Sequence, residues 1–440
     1  MSTDAIARKS ACVAVAAWAA LLGCSGDMPA ETASEVPSGE SEALVLPDGF
    51  SATVFHEGIG LARHMAVRDN GDVYAMTRAG GSSRPDPGPF QGIVAMRDTD
   101  GDGQADEVQG FSDIRGTGIA FENGMLYAAD DVTVYRFRFD GNELLPSSDP
   151  EVLVEGFEPQ RQHASKSITL DGEGNLYVNI GAPSNSCQED DRTPGSRGSS
   201  PCPLLQQYGG IWRFDAGRIG QTRQADGEHF ASGLRNVVAL EWNSQLGALY
   251  AVQHGRDQLD FLFPELFEAE DNAQRVAEEM HRIEAGGEYG WPYTYYDAIA
   301  GRRVVAPEYG GDGEKTPPAD SYPDPLVAFP AHWAPNDLVF YDAEQFPERY
   351  RGGAFIAFHG SWNRAPLPQE GYNVTFVPLG ADGAAAGDWT VFAEGFAERE
   401  VANPSDARAR PTGLAVAPDG SLYVSDSVRG RIWRISYQGS

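Results

Sequence analysis

The chain repeats one short theme six times. From residue 45 onward an apolar strand, a turn with Asp or Asn and Gly, and a strand rich in Tyr and Val recur together. Five copies are HMAVRDNGDVYAMTR (64–78), GIAFENGMLYAAD (118–130), SITLDGEGNLYVNIGA (167–182), VVALEWNSQLGALYAVQHG (237–255) and GLAVAPDGSLYVSDSVRGRIWRI (413–435). LVFYDAEQFPERYRGGAFIAFHG (338–360) is a more divergent sixth. Alternating strands joined by such turns are hairpins. Third strands follow, as TVYRFRF, GGIWRFD, MHRIEAG, YNVTFVPL and RIWRISY. A single four-stranded unit cannot bury both its faces; stacking units around an axis does so, and closing the ring protects the edges. The repeat therefore predicts an all-β chain: a six-bladed β-propeller with four-stranded antiparallel blades. GFSATVF (49–55) is placed to supply the outer strand that closes the ring with the last blade.

The spacing is uneven. Tyr250 and Phe355 occupy corresponding positions 105 residues apart, which predicts a long insertion between blades four and five. It includes a helical stretch over 263–280 and a Gly/Pro-rich stretch over 301–327. Long insertions in compact domains usually serve sites or lids.

Ahead of the repeats stands a targeting segment. Arg8 and Lys9 precede an apolar run from Ala11 to Leu22, which is too short to span a bilayer and reads as a signal-peptide core. Its ending, Leu21-Leu22-Gly23-Cys24, resembles a bacterial lipobox, implying cleavage after residue 23 and lipidation of Cys24. The expected organisation is a signal peptide over 1–23, a Ser/Glu/Ala/Pro-rich tether over 24–44 and the propeller over 45–440. That describes an exported bacterial lipoprotein on the periplasmic face of the outer membrane or the cell surface, touching the membrane through its lipid alone. Of four cysteines, Cys12 leaves with the signal and Cys24 is lipidated. Cys187 and Cys202 remain as a disulfide pair in an oxidising compartment. The formal net charge of −31 repels phosphate backbones and argues against nucleic-acid binding.

In a propeller, the loops that enter the innermost strands converge at one mouth of the central channel. Here they carry Arg63-His64, Arg115, Gln162-His163, Arg235-Asn236, His332-Trp333 and Arg408-Ala409-Arg410. A ring of cations in so acidic a chain describes a site for a small, multiply anionic ligand held by guanidinium forks.

The blade pattern, His163 before its strand, GLRN (233–236), YGWP (289–292), HGSWNR (359–364) and ARPTGLAVAPDG (409–420) together resemble the sugar dehydrogenases that use pyrroloquinoline quinone, in particular the sorbosone or pyranose dehydrogenase-like subgroup. The resemblance covers about residues 45–438. It implies a tricarboxylate ortho-quinone activated by Ca²⁺, a histidine that takes the proton of a sugar hydroxyl, and hydride transfer from carbon to quinone. It also implies a sugar or polyol as substrate. No Cys-x-x-Cys-His motif is present to attach haem, so electrons would leave to an external acceptor.

Carried onto this sequence, the resemblance makes His163 the base, with Gln162, Trp333 and Trp362 around the sugar. Arg63, Arg235, Asn236, Arg364, Arg408 and Arg410 become cofactor ligands. Gly255 and Arg256 become Ca²⁺ ligands through their backbone carbonyls. The chain departs from the glucose dehydrogenase pattern at that last point, with Gly-Arg in place of Gly-Pro.

DTDGDGQAD (98–106) sets Asp98, Asp100 and Asp102 at positions one, three and five of an EF-hand-like loop, with Gly103 at six. Position twelve is Gln109, where the motif needs Glu, so the stretch is a candidate second Ca²⁺ site or a plain acidic turn. Two other functions remain compatible with the residues. One is a Ca²⁺-dependent propeller lactonase, which would line the channel with acids. The other is a non-catalytic, surface-anchored binding propeller, which would need no cationic ring.

Overall fold

The structure, a computed structural model, describes residues 44–79, 88–90 and 92–439. The signal peptide, Cys24 and all but the last residue of the tether lie outside the described residues. The described strands form seven sheets, six of them arranged as blades and the seventh a two-stranded hairpin, Thr294–Asp297 with Arg302–Val305. Blade one is Leu61–Val67, Val73–Arg78, Ile93–Arg97 and Glu107–Phe111. Blade two is Ile119–Glu122, Met125–Ala129, Val134–Arg138 and Glu151–Glu155. Blade three is Ile168–Leu170, Asn175–Ile180, Gly210–Asp215 and Glu228–Ser232. Blade four is Val237–Asn243, Ala248–Gln253, Glu278–Ile283 and Val327–Phe329. Blade five is Pro335–Phe340, Ala354–Phe358, Asn373–Val377 and Thr390–Ala393. Blade six is Pro411–Val416, Leu422–Asp426 and Ile432–Tyr437, completed by Phe50–His56 from the other end of the chain. Each blade's first strand packs on its neighbours' first strands, and the sixth returns to the first, so the ring is closed.

Local chemistry sets these hairpins. Asn123 and Gly124 both take positive φ, 50° and 76°, in the two-residue turn between Glu122 and Met125, the conformation that Asn-Gly favours. The closing strand pairs antiparallel with Ile432–Tyr437, from Phe50 opposite Tyr437 to His56 opposite Ile432. Phe50 drives its ring edge-on into Phe346 and Phe392, at centroid distances of 4.8 and 5.0 Å. Such aromatic contacts each add about 0.5–1.5 kcal/mol beyond burial.

Two expectations need correction. The insertion lies within blade four, not between blades four and five. Residues 254–277 separate that blade's second and third strands, and residues 284–326 separate its third from its outermost strand, which pairs with Glu278–Met280. A spacing measured between second strands cannot locate the extra chain. The stretch expected as one helix over 263–280 instead holds a helix at Ala269–Arg275, after a single turn at Leu259–Leu262. In addition, blades two and three each gain a short parallel edge strand, Gln221–Thr222 and Gly287–Glu288.

Candidate active site

His163 lies in the loop that leads into the first strand of blade three and takes a positive φ of 53°. Its Nδ1 is 2.5 Å from the carbonyl oxygen of Ala182. A carbonyl can only accept, so Nδ1 carries the proton and Nε2 offers the lone pair. Burial, reinforced by the Arg235 charge, pulls the imidazole down to about 3. It is therefore a neutral base at neutral pH. Gly181 makes the approach possible: a Cβ there would stand 2.6 Å from the His163 Cβ and 2.8 Å from Asn236 Oδ1. That Asn236 oxygen is buried and has no hydrogen-bond partner.

Arg235 is buried and saturated. It donates to the Asn185 carbonyl at 3.2 Å, Asn185 Oδ1 at 2.9 Å, Gly255 O at 2.8 Å and Asp257 Oδ2 at 2.7 Å. Asp257 also accepts from Arg192 at 3.0 Å and from Asn363 at 2.6 Å. Burial pushes the Asp257 carboxyl up, but Arg235 and Arg192 outweigh it and hold it well below the usual range. The aspartate thus ties together the loops of blades three, four and five.

Arg63 is the opposite case. Its Nε is buried without a hydrogen-bond partner. Burial, with the charges of Arg78 and Arg410, pulls the guanidinium down to about 9. Arg78 is held by Asp131 at 2.9 Å and Ser165 at 2.6 Å. Arg410 donates to the carbonyls of His359 and Gly360 at 2.9 and 2.5 Å. The Arg235 and Arg63 charges both depress His254, so the two halves of the mouth belong to one electrostatic field. The Asp131 and Asp337 carboxylates offset the lowering of Arg63 only in part, which leaves it as a buried cation with spare capacity to hold an anion.

A family model described as TrAA12-like matches residues 44–438. The chain belongs to that family. Among its relatives is a pyrroloquinoline quinone-dependent pyranose dehydrogenase of Coprinopsis cinerea, 25% identical over 277 residues, covering 55% of this chain and 36% of that protein. Another is an uncharacterised protein of Borreliella burgdorferi, 26% identical, covering 48% of this chain and 49% of that one. The chain thus spans about half or less of the length of these relatives. Two solved structures share the fold. A family AA12 carbohydrate-active enzyme of Trichoderma reesei, in its iodide structure, aligns with a TM-score of 0.70 at 18% identity, over 90% of this chain and 98% of that one. The holo pyrroloquinoline quinone domain of the Coprinopsis cinerea pyranose dehydrogenase aligns with a TM-score of 0.66 at 18% identity, over 89% and 97%.

The mouth gathers His163, Asn236, Arg235, Arg63 and Arg410; Arg63 comes from within the first strand of blade one, at the bulge between Ala62 and Met65, and not from a loop ahead of it. Other residues are spent elsewhere. Arg364 donates to the carbonyls of Pro368, Ala273 and Ala331 and pairs with Glu370, which fastens loops. Arg408 is exposed on the rim, 3.8 Å from Glu398. Trp333 packs into the core against Phe358 and Trp389, whereas Trp362 is exposed. Gln162 donates to Asp191 and accepts from Arg192. Gly255 O accepts from Arg235, and the Arg256 side chain is buried in a pair with Glu308. Cys187 and Cys202 are bonded to each other. In the acidic loop, Asp98, Asp100 and Asp106 bring carboxylate oxygens within 4.8 Å of one another, while Asp102 bonds Gln104 instead.

Sequence reasoning passed over Arg78, Asn185, Arg192 and Asp257. Asp257 follows QHGR directly, and its acidity amid basic loops was the available signal. It also passed over the channel's other end. There a cavity of about 360 Å³ is lined by Glu122, Asp171, Glu241 and Asp337. Burial pushes both Glu241 and Asp337 up to about 8. The pointer was their place on or just beyond first strands, among the positions that face the channel.

Proposed function

We propose that this chain is a pyrroloquinoline quinone-dependent sugar dehydrogenase that oxidises a sugar hydroxyl or aldehyde-hydrate carbon and passes electrons to an external acceptor. The observation that carries the reading is the buried, unpartnered Arg63 Nε beside Arg78 and Arg410, at the same mouth as a neutral His163. The names of the relatives and of the solved structures that share its fold point to the same cofactor.

The residues fit the organic cofactor. Arg63, with Arg410 and Arg78 beside it, would hold its carboxylates, and Asn236 Oδ1 and Arg235 border the space next to His163. When bound, the group supplies an ortho-quinone that accepts two electrons. The protein's own part is proton chemistry. His163 Nε2 takes the proton of the sugar hydroxyl, while the Ala182 carbonyl keeps Nδ1–H in place and stabilises the imidazolium that forms. Burial and Arg235 make that imidazolium acidic, so it returns its proton readily to solvent.

Gly255 O, one of the two carbonyls expected to hold Ca²⁺, already accepts a hydrogen bond from the Arg235 guanidinium, so a dication there would share that oxygen with a fixed positive charge.

Export and lipidation at Cys24 belong to the same reading, supported by the basic, apolar and Leu-Leu-Gly-Cys segments. Radiolabelled palmitate incorporation that disappears in Cys24→Ser is the expected result.

The test is to titrate purified apoprotein with pyrroloquinoline quinone, with and without Ca²⁺, and to screen aldoses and polyols with a reducible dye. Saturable binding and sugar-dependent dye reduction are expected, with His163→Ala keeping the first and losing most of the second. Absence of binding at high cofactor concentration would end the proposal; binding without turnover on any sugar would make the protein a binding propeller.

A further inference from the structure

The neighbourhood of His163 contains a device that the proton chemistry above does not use. Lys166 is fully buried, with none of its surface exposed. Its Nζ donates to Gln160 Oε1 at 3.1 Å and to the carbonyl of Ala164 at 2.6 Å. Gln160 in turn donates from Nε2 to the carbonyl of Gln162 at 3.3 Å and to that of Gly181 at 2.7 Å. The two side chains thus grip three carbonyls. Two belong to the residues on either side of His163, and the third belongs to the residue before Ala182, whose own carbonyl receives the imidazole.

We propose that Gln160 and Lys166 are positioning residues for His163, a buried amide–ammonium clamp that fixes the histidine backbone and its carbonyl acceptor relative to each other. The inference rests on the reading of His163 as the base. The clamp acts where a restraint is needed. His163 has a positive φ of 53°, a conformation that a non-glycine residue holds only when its surroundings impose it. Gly181 and Ala182 lie on a different segment, just after the strand Asn175–Ile180, and the hairpin bonds between the segments end with Asn179, which reaches Ser167 O and Ser165 O but not residue 163. Gln160 Nε2 extends the bridge to the histidine itself, since it reaches both Gln162 O and Gly181 O. Lys166 fixes the orientation of the amide: an ammonium has only donors, so it must face Oε1, which turns the NH₂ towards the two carbonyls. A charged donor also makes the stronger bond. Burial lowers Lys166 to about 8, yet Asp131 and Asp130 support its charge, so it remains ammonium at neutral pH.

Histidine nitrogen NMR on the apoprotein tests the clamp without any cofactor. In protein labelled with nitrogen-15 at its histidines, the His163 ring is identified by its loss in His163→Ala. The wild type is expected to show one tautomer, protonated at Nδ1. In Gln160→Met and Lys166→Met the ring is expected to become a mixture of tautomers, while the melting temperature reports whether the fold survives. Gln160→Glu, which keeps an acceptor for Lys166 but removes the amide donor, covers the case in which either methionine variant fails to fold, and it too is expected to mix the tautomers.

In the reconstituted enzyme the same variants are expected to lower kcat by about 100-fold, the usual scale for a misplaced catalytic group. KM and cofactor affinity should stay near wild type. In a His163→Ala background they should lower residual turnover no further. A single Nδ1-protonated tautomer in folded Gln160 and Lys166 variants overturns the proposal. So does a full multiplicative loss on top of His163→Ala. If the wild type binds no quinone at all, the functional reading falls, and the tautomer measurement still decides the clamp.

Discussion

His163 Nδ1 rests on the carbonyl oxygen of Ala182, 2.5 Å away, across two loops that the chain brings together from 19 residues apart. That contact fixes the tautomer, and burial beside Arg235 keeps the ring neutral down to about pH 3. An unperturbed imidazole would begin to protonate at about 6.5. The acid limb of kcat/KM due to this base is therefore expected near pH 3, with none centred between 6 and 7. Rates measured across the acid range in reconstituted enzyme check this. A limb at 6–7 that vanished in His163→Ala would contradict it.

Gly181→Ala should act on the same contact from the other side. The new methyl group would stand 2.6 Å from the His163 Cβ and 2.8 Å from both the His163 carbonyl and Asn236 Oδ1. Two of those atoms are backbone or backbone-proximal and cannot swing away, so the histidine must move. Turnover is expected to fall by about 100-fold, the scale for misplaced reacting groups. Quinone affinity should change much less, because Arg63 and Arg410 are not touched. Steady-state kinetics and a cofactor titration on the same preparation separate the two.

Arg63 and Arg235 should respond in opposite ways to removal. Arg63 has a buried Nε with no partner, so Arg63→Met should leave the apoprotein as stable as wild type or more so, and weaken quinone binding by about 10–100-fold. Arg235 satisfies Asn185, Gly255 and Asp257, so Arg235→Met should cost the fold about 3–5 kcal/mol. Chemical denaturation of the two apoproteins reads the difference. A strongly destabilised Arg63→Met would show that the guanidinium is a structural group and not a receptor.

Stability should depend on pH through two opposed sets of groups. Burial pulls His64, His163 and His254 down to about 3, 3 and 4. Below 6.5 the unfolded chain binds protons there that the native chain refuses, so stability is lost as pH falls. Burial pushes Glu241, Glu278 and Asp337 up to about 8, 7 and 8. From about 4 upward the native chain keeps protons there that the unfolded chain releases, so stability is lost as pH rises. The trends oppose each other between about 4.5 and 6.5, and above that only the carboxylates act. The melting temperature should show a broad maximum between about pH 5 and 6 and decline towards 8, with a shallower decline in Asp337→Asn. A melting temperature that climbs steadily to pH 8 would refute the assignment.

The ring was legible because its signals are local. Each hairpin carries its own turn residues, and GFSATVF had no partner other than the last blade. The convergence of Arg63, Arg235 and Arg410 followed from their shared place near the start of first strands, Arg235 and Arg410 just ahead of theirs and Arg63 two residues into its own. Their uses did not. Arg63 and Arg364 look alike in sequence, yet one lacks a partner at Nε and the other holds three carbonyls, and only packing decides between them. Arg408 and Arg410 are two residues apart, a spacing that would put both on one face of a strand, but they precede the strand Pro411–Val416, and the irregular backbone there leaves one on the rim and turns the other inward. Asp257 was hidden for a similar reason: its partners Asn185, Arg192, Arg235 and Asn363 span 178 positions of the chain.

The seam of blade six joins Phe50–His56 to Ile432–Tyr437, so the first and the last of the blade strands meet in one sheet. A polypeptide halted before Pro411 possesses five blades and an unmated flank on either side of the gap. Completion of the last strand is then the event that converts an open, sticky arc into a molecule without a free border.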